Sequence, residues 1–327
     1  MKIAIIGSGA FGIALSHVFI KNTSNISMWT VPNEYDELIK YRTNNKVLEE
    51  VKLDNRIKIS TNIQDVIKDA DIIVIAIPVK FIESTIKEIS KYITDKQHIC
   101  IASKGIIQES CMFSYSVIQK YVVTNKISVI AGGTFAIDMA NEQPMGLTIA
   151  SNNEETVKIT ESALTNNFIT CEVSNDVIGI EILGAIKNIL AIAMGILEGL
   201  NTVESTKYTF MTKSINDISN IICLLGGKKE TIFTYAGIGD IILTCSSVKS
   251  RNFTLGKMLG NGTNKEDIDN YINNTTIEGL YTLKSMKELL DKNNISMDLI
   301  NCLKDIIYKE ENPQKLIKLI KQNYNYR

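Results

Sequence analysis

The chain has 327 residues, of which 45% are hydrophobic and 22% are charged. This length suggests two domains, and the composition is typical of a globular protein rather than a disordered one. The 35 lysine and arginine residues nearly balance the 36 aspartate and glutamate residues, and the net charge of -1 argues against binding to nucleic acid or to an acidic membrane.

The first half of the chain alternates predicted strands with helical patterns. Runs of apolar, mostly β-branched residues predict strands at 2–6, 26–29, 71–77, 98–102, 127–131, 147–150 and 168–173. Continuous apolar strands separated by helices indicate a mostly parallel sheet that is covered on both faces. We therefore predict a doubly wound α/β domain over residues 1–175.

From residue 177 onward the strand patterns stop and helical patterns follow one another. Seven segments predict helices, at 177–200, 211–225, 253–259, 265–273, 277–291, 297–308 and 313–322. Residues 176–327 are therefore predicted to form an all-helical domain. The first of these helices is nearly long enough to span a membrane. Because polar residues such as Glu181 and Asn188 interrupt it, we predict a buried core helix and no membrane insertion.

The cysteine pattern bears on the cellular compartment. The six cysteines are scattered, with no CxxC pair and no histidine at zinc spacing. We expect no metal site and a reducing, cytoplasmic location. The apolar start of the chain also resembles a short signal peptide, but a strand, a glycine turn and a helix account for the same residues and for their three glycines.

A glycine-rich turn follows the first predicted strand and opens the first helix. Its residues are Gly7, Ser8, Gly9, Ala10, Phe11 and Gly12. The spacing G-x-G-x-x-G in this context predicts a Rossmann-type dinucleotide site, where the helix N-terminus receives the pyrophosphate. The alternative is a glycine turn without a ligand. The second strand ends at Trp29 with neither an acid nor an arginine directly after it, and Glu34 and Asp36 lie a little beyond, in a predicted loop. NAD and NADP both remain open.

The proton carrier of a dehydrogenase can be sought by elimination. His17 lies on the first helix and His98 begins a strand, so neither is placed to serve a nicotinamide ring. Lys187 is the best candidate, because helical spacing puts it on an apolar face with Leu183 and Ala191, where burial would lower its pKa. The alternative is a lysine that extends to the surface.

Other polar residues occupy positions where ligands bind. Pro78 and Lys104 follow strands at their carboxyl ends, which is where open α/β sheets bind ligands. For Pro78 the alternative is a residue that only ends the strand. Asp240 precedes an apolar run. An aspartate in this position either belongs to a functional site or only caps the N-terminus of a helix. Arg251 precedes another helix, a position that suits a phosphate or a carboxylate.

These motifs together resemble the bacterial type of NAD(P)-dependent glycerol-3-phosphate dehydrogenase. They occur in the family's order along essentially the full chain, at residues 7–12, 102–105, 132–136, 184–188, 236–240, 243–245, 250–252, 259–262 and 277–279. The resemblance implies a Rossmann domain followed by an all-helical domain. It also implies reversible hydride transfer between NAD(P)H and dihydroxyacetone phosphate, giving sn-glycerol 3-phosphate for phospholipid synthesis.

The resemblance also implies roles for individual residues. Lys187 would be the general acid/base on the C2 oxygen, and Lys104 and Asp240 would complete the catalytic cluster. The implied substrate-binding residues are Asn188, Thr244, Arg251, Asn252, Gly132 and Thr134. The implied cofactor-binding residues are the six residues of the glycine turn together with Trp29, Pro78, Lys104, Ala136, Arg251 and Glu278.

The chain departs from the family pattern in two places. Gly133 stands where the family usually has proline, and the segment 205–217 differs from the usual arginine-containing pattern, with Lys207, Lys213 and Asp217 as the nearest equivalents. We expect this segment to affect packing or a subunit contact rather than the chemical step.

Two alternative functions remain. A hydroxyacid or ketopantoate reductase would share the two-domain plan but would bind a carboxylate where we expect a phosphate. A dinucleotide-binding redox sensor would need no chemistry, and the joint presence of Lys187, Lys104 and Asp240 argues against it. The expected partner is a small phosphorylated triose, and the large helical domain suggests a homodimer.

Overall fold

The computed structural model describes residues 1–49 and 51–321, which fall into two compact units. The first unit comprises Met1–Lys104 and Phe113–Ile180, and the second comprises Gly105–Met112 and the described residues from Glu181 onward. Residues 322–327, which belong to the predicted second domain, and the end of the predicted helix 313–322 lie outside the described residues.

Ten strands are present in the described chain. They are β1 (Ile3–Ile6), β2 (Ile26–Trp29), β3 (Lys58–Ser60), β4 (Ile72–Ile75), β5 (His98–Ile101), β6 (Ile106–Ile107), β7 (Met112–Phe113), β8 (Ile127–Ala131), β9 (Met145–Ala150) and β10 (Ile169–Ser174). Eight of them form one sheet in the order β10-β9-β8-β5-β4-β1-β2-β3, and only the β8–β9 pair is antiparallel. The predicted mostly parallel sheet is confirmed, and its reversal of strand order beside β1 is typical of doubly wound folds.

The isoleucine-rich strands form the core of the first unit. Every residue of β1, β4, β5 and β8 is buried, which is expected of strands covered on both faces. The covering helices are α1 (Ala10–Phe19), α2 (Pro32–Tyr41), α3 (Ile63–Ile67), α4 (Ile82–Ile89), α5 (Ser114–Tyr121), α6 (Ala136–Ala140) and α7 (Glu154–Leu164). Short 3-10 turns at Val79–Phe81 and Ser90–Tyr92 flank α4. Strands β3, β6 and β7 have only two or three residues each and are too short to be predicted from an apolar run.

The hairpin β6–β7 begins directly after Lys104, and residues Gly105–Met112 belong to the second unit although the sequence analysis counts them in the first domain. Within that unit β6 packs against a helix whose Glu288 carboxylate lies 3.0 Å from the Cys111 thiol. The chain therefore enters the second unit once before Glu181. No composition change marks this excursion, so only tertiary contacts reveal it.

The helix α8 (Val177–Gly199) is the central element of the second unit. By length and composition it could cross a membrane, with a mean hydropathy of 1.9, but 94% of its most apolar window is buried inside the protein. It is a buried core helix, as its interrupting polar residues indicate.

Up to residue 321, where the described part of the chain ends, seven helices follow α8. They are α9 (Glu204–Leu224), α10 (Asp240–Ser246), α11 (Arg251–Gly260), α12 (Lys265–Asn274), α13 (Glu278–Lys292), α14 (Asp298–Tyr308) and α15 (Lys315–Lys318). A 3-10 turn at Lys229–Phe233 and a π-helical turn at Tyr235–Gly239 precede α10, and a 3-10 turn at Leu319–Lys321 follows α15. Helix α9 begins seven residues before the predicted start at 211, because its polar first turns lack an apolar stripe. Helix α10 was not predicted, since seven residues are too few to show the helical period.

Glycines let α8 and α11 approach closely. A Cβ atom on Gly195 would lie 2.1 Å from the carbonyl oxygen of Phe253, and one on Gly256 would lie 2.0 Å from that of Ile192. Real Cβ atoms do not come this close to a backbone oxygen. The two backbones can therefore touch only because these positions are glycine, and the contact brings the first turn of α11 beside the middle of α8.

Candidate active site

The glycine turn lies between β1 and α1, as predicted. Gly7 has a φ of +121°, in the region that favours glycine, and a Cβ on Gly12 would lie 2.2 Å from the Gly7 carbonyl oxygen. Gly9 precedes α1 in an extended conformation, and no side chain in the described part of the chain caps the helix there. The N–H groups of the first turn of α1, among them those of Ala10 and Phe11, are thus available to bind a ligand.

The fit of a dinucleotide can be tested at Gly9. Nothing lies within 4 Å of the position that a Cβ on Gly9 would occupy, so the backbone borders open space there. This is what the second glycine of the fingerprint provides, a smooth surface that a pyrophosphate can approach. The residues present therefore fit a dinucleotide, with the N-terminus of α1 as the phosphate-binding element.

A hydrogen-bonded cluster joins the glycine turn to the end of β2. The Ser8 hydroxyl lies 2.7 Å from Thr30 Oγ1 and donates to Glu34 Oε2 at 2.8 Å. Asn44 Nδ2 donates to the same carboxylate oxygen and to the Ser8 carbonyl, both at 3.1 Å. Ser8, Thr30 and Asn44 are all buried. The prediction that Glu34 lies in a loop is wrong: Glu34 lies in the first turn of α2, and the fold returns its carboxylate to the glycine turn.

The remaining predicted cofactor residues lie at carboxyl ends of strands or at helix starts. Trp29 ends β2, and its ring nitrogen donates to the carbonyl of Thr61 at 3.0 Å. Pro78 follows β4 and is exposed, while Ala136 is the first residue of α6 and is half-buried. Carboxyl ends of parallel strands are where ligands of open α/β sheets bind.

Lys104 lies at the same carboxyl edge of the sheet, directly beyond β5. Its ammonium group is 5.6 Å from the centre of the Phe11 ring and 3.3 Å from the carbonyl oxygen of Gly132. The structure therefore brings together three residues that the sequence analysis assigned to the site. Thr134 follows Gly132 closely in the chain, and its hydroxyl is buried with no hydrogen-bond partner among the described residues. A buried hydroxyl of this kind can form a hydrogen bond with an oxygen atom of a ligand.

In the second unit, a buried ion pair joins the middle of α8 to the first residue of α10. Lys187 Nζ lies 2.6 Å from Asp240 Oδ1, and Thr244 Oγ1 lies 3.3 Å from the same nitrogen and 3.1 Å from the same carboxylate oxygen. Lys187 is 7% exposed and Asp240 is 1% exposed. The alternative of a lysine that extends to the surface is therefore wrong. Asp240 is the first residue of α10, and its carboxylate forms the ion pair with Lys187.

A second chain of polar contacts lies one residue further along α8. Asn252 Nδ2 donates to Asn188 Oδ1 at 3.0 Å, and Asn188 Nδ2 donates to Glu278 Oε2 at 3.2 Å. The backbone N–H of Gly279 donates to Asn252 Oδ1 at 2.8 Å. These bonds fix the orientation of both amides, because each has a partner for its donor and its acceptor. Glu278 itself is exposed at the start of α13.

The first turn of α11 presents an exposed cation. The Ser250 hydroxyl caps this helix by accepting from the N–H of Phe253 at 3.3 Å, and Arg251 follows as an exposed first residue. The sequence analysis did not count Ser250 in the site, although a serine before a helix is a recognisable cap. A helix N-terminus that carries an arginine is suited to bind an anion.

Burial shifts the pKa of a histidine and of a cysteine away from their ordinary values. His98 begins β5, its Nδ1 lies 2.9 Å from Thr156 Oγ1, and burial lowers its pKa. Burial also raises the pKa of the Cys245 thiol, which lies on α10 beside Lys187, and keeps it uncharged. All six cysteines are free thiols. Within residues 1–49 and 51–321, no group of three or more His, Cys, Asp or Glu residues could hold a metal ion.

The divergent segment 205–217 is helical and belongs to α9. Lys207 Nζ forms an ion pair with Glu198 Oε2 of α8 at 2.7 Å, and this hydrogen bond raises the pKa of Lys207. Lys207 therefore ties α9 to the end of α8, which agrees with the packing role expected for the segment.

A doubly wound sheet with a dinucleotide fingerprint and a helical unit with a buried lysine–aspartate pair define a class, the nicotinamide-dependent oxidoreductases. Comparison with known proteins narrows this class. Residues 2–157 match the family model for the N-terminus of NAD-dependent glycerol-3-phosphate dehydrogenase, and residues 176–318 match the model for its C-terminus.

Individual relatives agree with the family models. The chain is 30% identical over 320 residues to a glycerol-3-phosphate dehydrogenase [NAD(P)+] of Fusobacterium nucleatum, covering 97% of this chain and 95% of the relative. It is 32% identical over 318 residues to the one of Staphylococcus haemolyticus, covering 96% and 95%. The crystal structure of glycerol-3-phosphate dehydrogenase from Coxiella burnetii superposes with a TM-score of 0.91 at 27% identity, covering 98% of this chain and 99% of that one.

The chain belongs to the NAD-dependent glycerol-3-phosphate dehydrogenase family. The resemblance drawn from the nine sequence motifs is confirmed, and so are the fold class and the dependence on NAD(P). The family assignment argues against both the ketopantoate reductase and the redox sensor.

Proposed function

We propose that this protein reduces dihydroxyacetone phosphate to sn-glycerol 3-phosphate with NAD(P)H, and that the reaction supplies phospholipid synthesis. Family membership supports the reaction class, and the buried Lys187–Asp240 pair is the observation that carries the mechanism. The free cysteines fit a reducing cytoplasm, where we propose that the enzyme acts as a homodimer.

Lys187 is proposed as the proton donor to the C2 oxygen. A lysine in a helix that is otherwise almost wholly apolar contributes little to stability, since well-packed apolar residues generally serve as well as a buried ion pair. Its presence is better explained by chemistry. Bound NAD(P)H supplies the hydride to C2, and the ammonium group of Lys187 donates the proton that the C2 oxygen needs as it becomes an alkoxide.

Asp240 and Thr244 hold the Lys187 ammonium group in place. Their oxygens lie 2.6 Å and 3.3 Å from its nitrogen, and these contacts orient the ammonium group. After proton transfer, the Asp240 carboxylate favours recovery of the positive charge. Lys104 is proposed as a second positive charge that stabilises the developing alkoxide, with Gly132 and Thr134 in substrate contact.

The first turn of α11 is proposed to hold the substrate phosphate. Arg251 and the N–H groups of this turn offer charge-assisted bonds to phosphate oxygens, and the amides of Asn188 and Asn252 are fixed beside them by mutual hydrogen bonds. Holding the phosphate positions C2 for reaction and contributes to the rate through orientation.

The test is consumption of reduced cofactor by the purified protein. NADH and NADPH are each mixed with dihydroxyacetone phosphate, and loss of the near-ultraviolet absorbance of the reduced nicotinamide is followed. Turnover with either cofactor supports the proposal. Binding of the cofactor without turnover on this substrate would contradict it, and pyruvate-like ketones that carry a carboxylate would then be tried to find the true substrate class.

A further inference from the structure

We propose that Glu34 makes this chain selective for NADH over NADPH. The inference rests on the proposed function only in so far as the protein binds a nicotinamide dinucleotide. It concerns the adenosine ribose, whose 2′ position carries a hydroxyl in NADH and a phosphate in NADPH. Dinucleotide-binding folds distinguish the two with an acidic or a basic residue beyond the second strand.

The position of the Glu34 carboxylate carries the argument. It receives hydrogen bonds from the Ser8 hydroxyl at 2.8 Å and from Asn44 Nδ2 at 3.1 Å, so it is anchored on the glycine turn itself. Both bonds go to Oε2. Within the part of the chain that the structure describes, Oε1 has no hydrogen-bond partner, and it remains to accept a bond from a ribose hydroxyl.

The surroundings of Glu34 favour a hydroxyl over a phosphate. Glu34 lies in the first turn of α2, the positive end of the helix, where a phosphate could otherwise bind. The carboxylate already neutralises that end. A phosphate dianion placed against it would meet a like charge in a half-buried setting, where Coulomb repulsion is only partly screened.

No basic residue directly follows β1, β2 or β3 to compensate. Residues 7–16 after β1, 30–37 after β2 and 61–67 after β3 contain neither lysine nor arginine. The next basic residues along the chain are Lys40, in the last turn of α2, and Arg42, directly after that helix. The Nη2 atom of Arg42 donates hydrogen bonds to the carbonyl oxygens of Asp54 and Ile57. The arginine that usually receives a 2′-phosphate is thus missing from these segments.

The experiment measures binding apart from catalysis. Trp29 is the only tryptophan in the chain and its carbonyl accepts from the N–H of Gly7 at 3.1 Å, so quenching of its fluorescence reports a dinucleotide on the glycine turn. Dissociation constants are measured for NADH and NADPH. Competition by adenosine 5′-monophosphate and by its 2′-phosphorylated derivative then isolates the ribose end, because these probes lack the nicotinamide.

We expect the wild-type protein to bind NADH at least ~10-fold more tightly than NADPH, and to show the same order with the two adenosine probes. Glu34→Gln keeps the size of the side chain and removes its charge, and it should reduce the NADH preference to roughly 3-fold or less. Glu34→Arg should reverse it. Asp36→Asn is the matched control, since it removes one negative charge from an exposed position of the same helix and should leave the ratio unchanged.

Equal affinity for the two cofactors in the wild-type protein would overturn the proposal, and so would an unchanged ratio in Glu34→Gln. Circular dichroism establishes that each variant is folded before it is titrated. Cofactor binding with the expected ratio but without turnover of dihydroxyacetone phosphate would support the role of Glu34 and contradict the proposed function, so the two ideas fail separately.

Discussion

At the scale of single residues, the proposed chemistry depends on the buried pair of Lys187 and Asp240. A charge that is removed from water must be compensated nearby, and the 2.6 Å contact provides this compensation. The same contact holds the ammonium group in one orientation. A proton donor that is already oriented does not spend free energy on ordering during the reaction.

Replacing Lys187 should separate chemistry from cofactor binding. We expect Lys187→Ala to lower kcat about 10²- to 10⁴-fold, because the alkoxide loses its proton donor, while the Kd for NADH stays nearly constant. The measurements are steady-state kinetics and Trp29 fluorescence.

Removing the lysine leaves the buried Asp240 carboxylate without the ammonium group that neutralises it, so stability must be controlled. The double variant Lys187→Ala/Asp240→Ala removes both charges and should unfold at a higher temperature than Lys187→Ala alone. Its activity should remain low. Near-normal turnover in either variant would show that another group donates the proton.

Arg251 should act on substrate binding rather than on the chemical step. We expect Arg251→Ala to raise the KM for dihydroxyacetone phosphate by roughly 10- to 100-fold, the cost of a charge-assisted bond to phosphate. Lys257→Ala is the matched control, since it removes a positive charge from an exposed position later in the same helix. If both variants leave the KM unchanged, the phosphate binds elsewhere.

At the scale of elements, the contact between α8 and α11 positions the polar side chains of the second unit. Lys187 and Asn188 lie on α8 and Asn252 lies on α11, so their geometry depends on how closely the two helices approach. Gly195 and Gly256 set that distance. The first turn of α11 would move outward if either position carried a side chain.

Gly256→Ala should therefore destabilise the protein although alanine is the better helix former. A Cβ 2.0 Å from the Ile192 carbonyl oxygen forces the helices apart, and we expect a loss of about 1–3 kcal/mol in the free energy of unfolding, as for other overpacked sites. Denaturant titration gives this value. Gly239→Ala is the control, because Gly239 has helical backbone angles and nothing within 4 Å of the Cβ position, and this change should be neutral or stabilising.

At the scale of the whole molecule, stability should fall as the pH is lowered toward 5. Burial lowers the pKa of His98 below its ordinary value of 6.5, and the ammonium group of Lys126 acts in the same direction. The unfolded chain therefore takes up a proton near pH 6.5 that the folded protein does not. The contribution of His98 is full above this pH and is lost as the pH falls toward the folded pKa.

His98→Gln should flatten this dependence. The glutamine can keep a hydrogen bond to Thr156 but does not titrate, so up to about 1.4 kcal/mol per pH unit of slope disappears between about pH 6.5 and the folded pKa. Asp305→Asn is the comparison, because hydrogen bonds from Lys315 and Lys309 lower the pKa of Asp305 to about 2. Asp305→Asn should change the free energy of unfolding by the same amount at every pH above 5, so that the slope of its pH dependence stays the same there. An unchanged slope in His98→Gln would assign the pH dependence to other groups.

Much of this molecule is determined by local sequence. Continuous apolar runs identified every long strand of the sheet, and the glycine turn was recognised from six consecutive residues, because apolar runs and glycine spacing are local properties. The burial of Lys187 could be predicted from its apolar neighbours one helical turn away. The two-residue strands β6 and β7 and the short helix α10 were missed, because a period cannot be seen in so few residues.

Only the tertiary structure decided which partners these residues meet. Asp240 lies 53 positions from Lys187 in sequence and Asn252 lies 64 from Asn188, and no local pattern reports such distances. Glu34 shows this most clearly. From the sequence it is an acid five residues past the end of β2, but the turn into α2 returns it to Ser8. A sequence specifies local conformation through short-range sterics, whereas the meeting of distant side chains depends on how all the elements pack together.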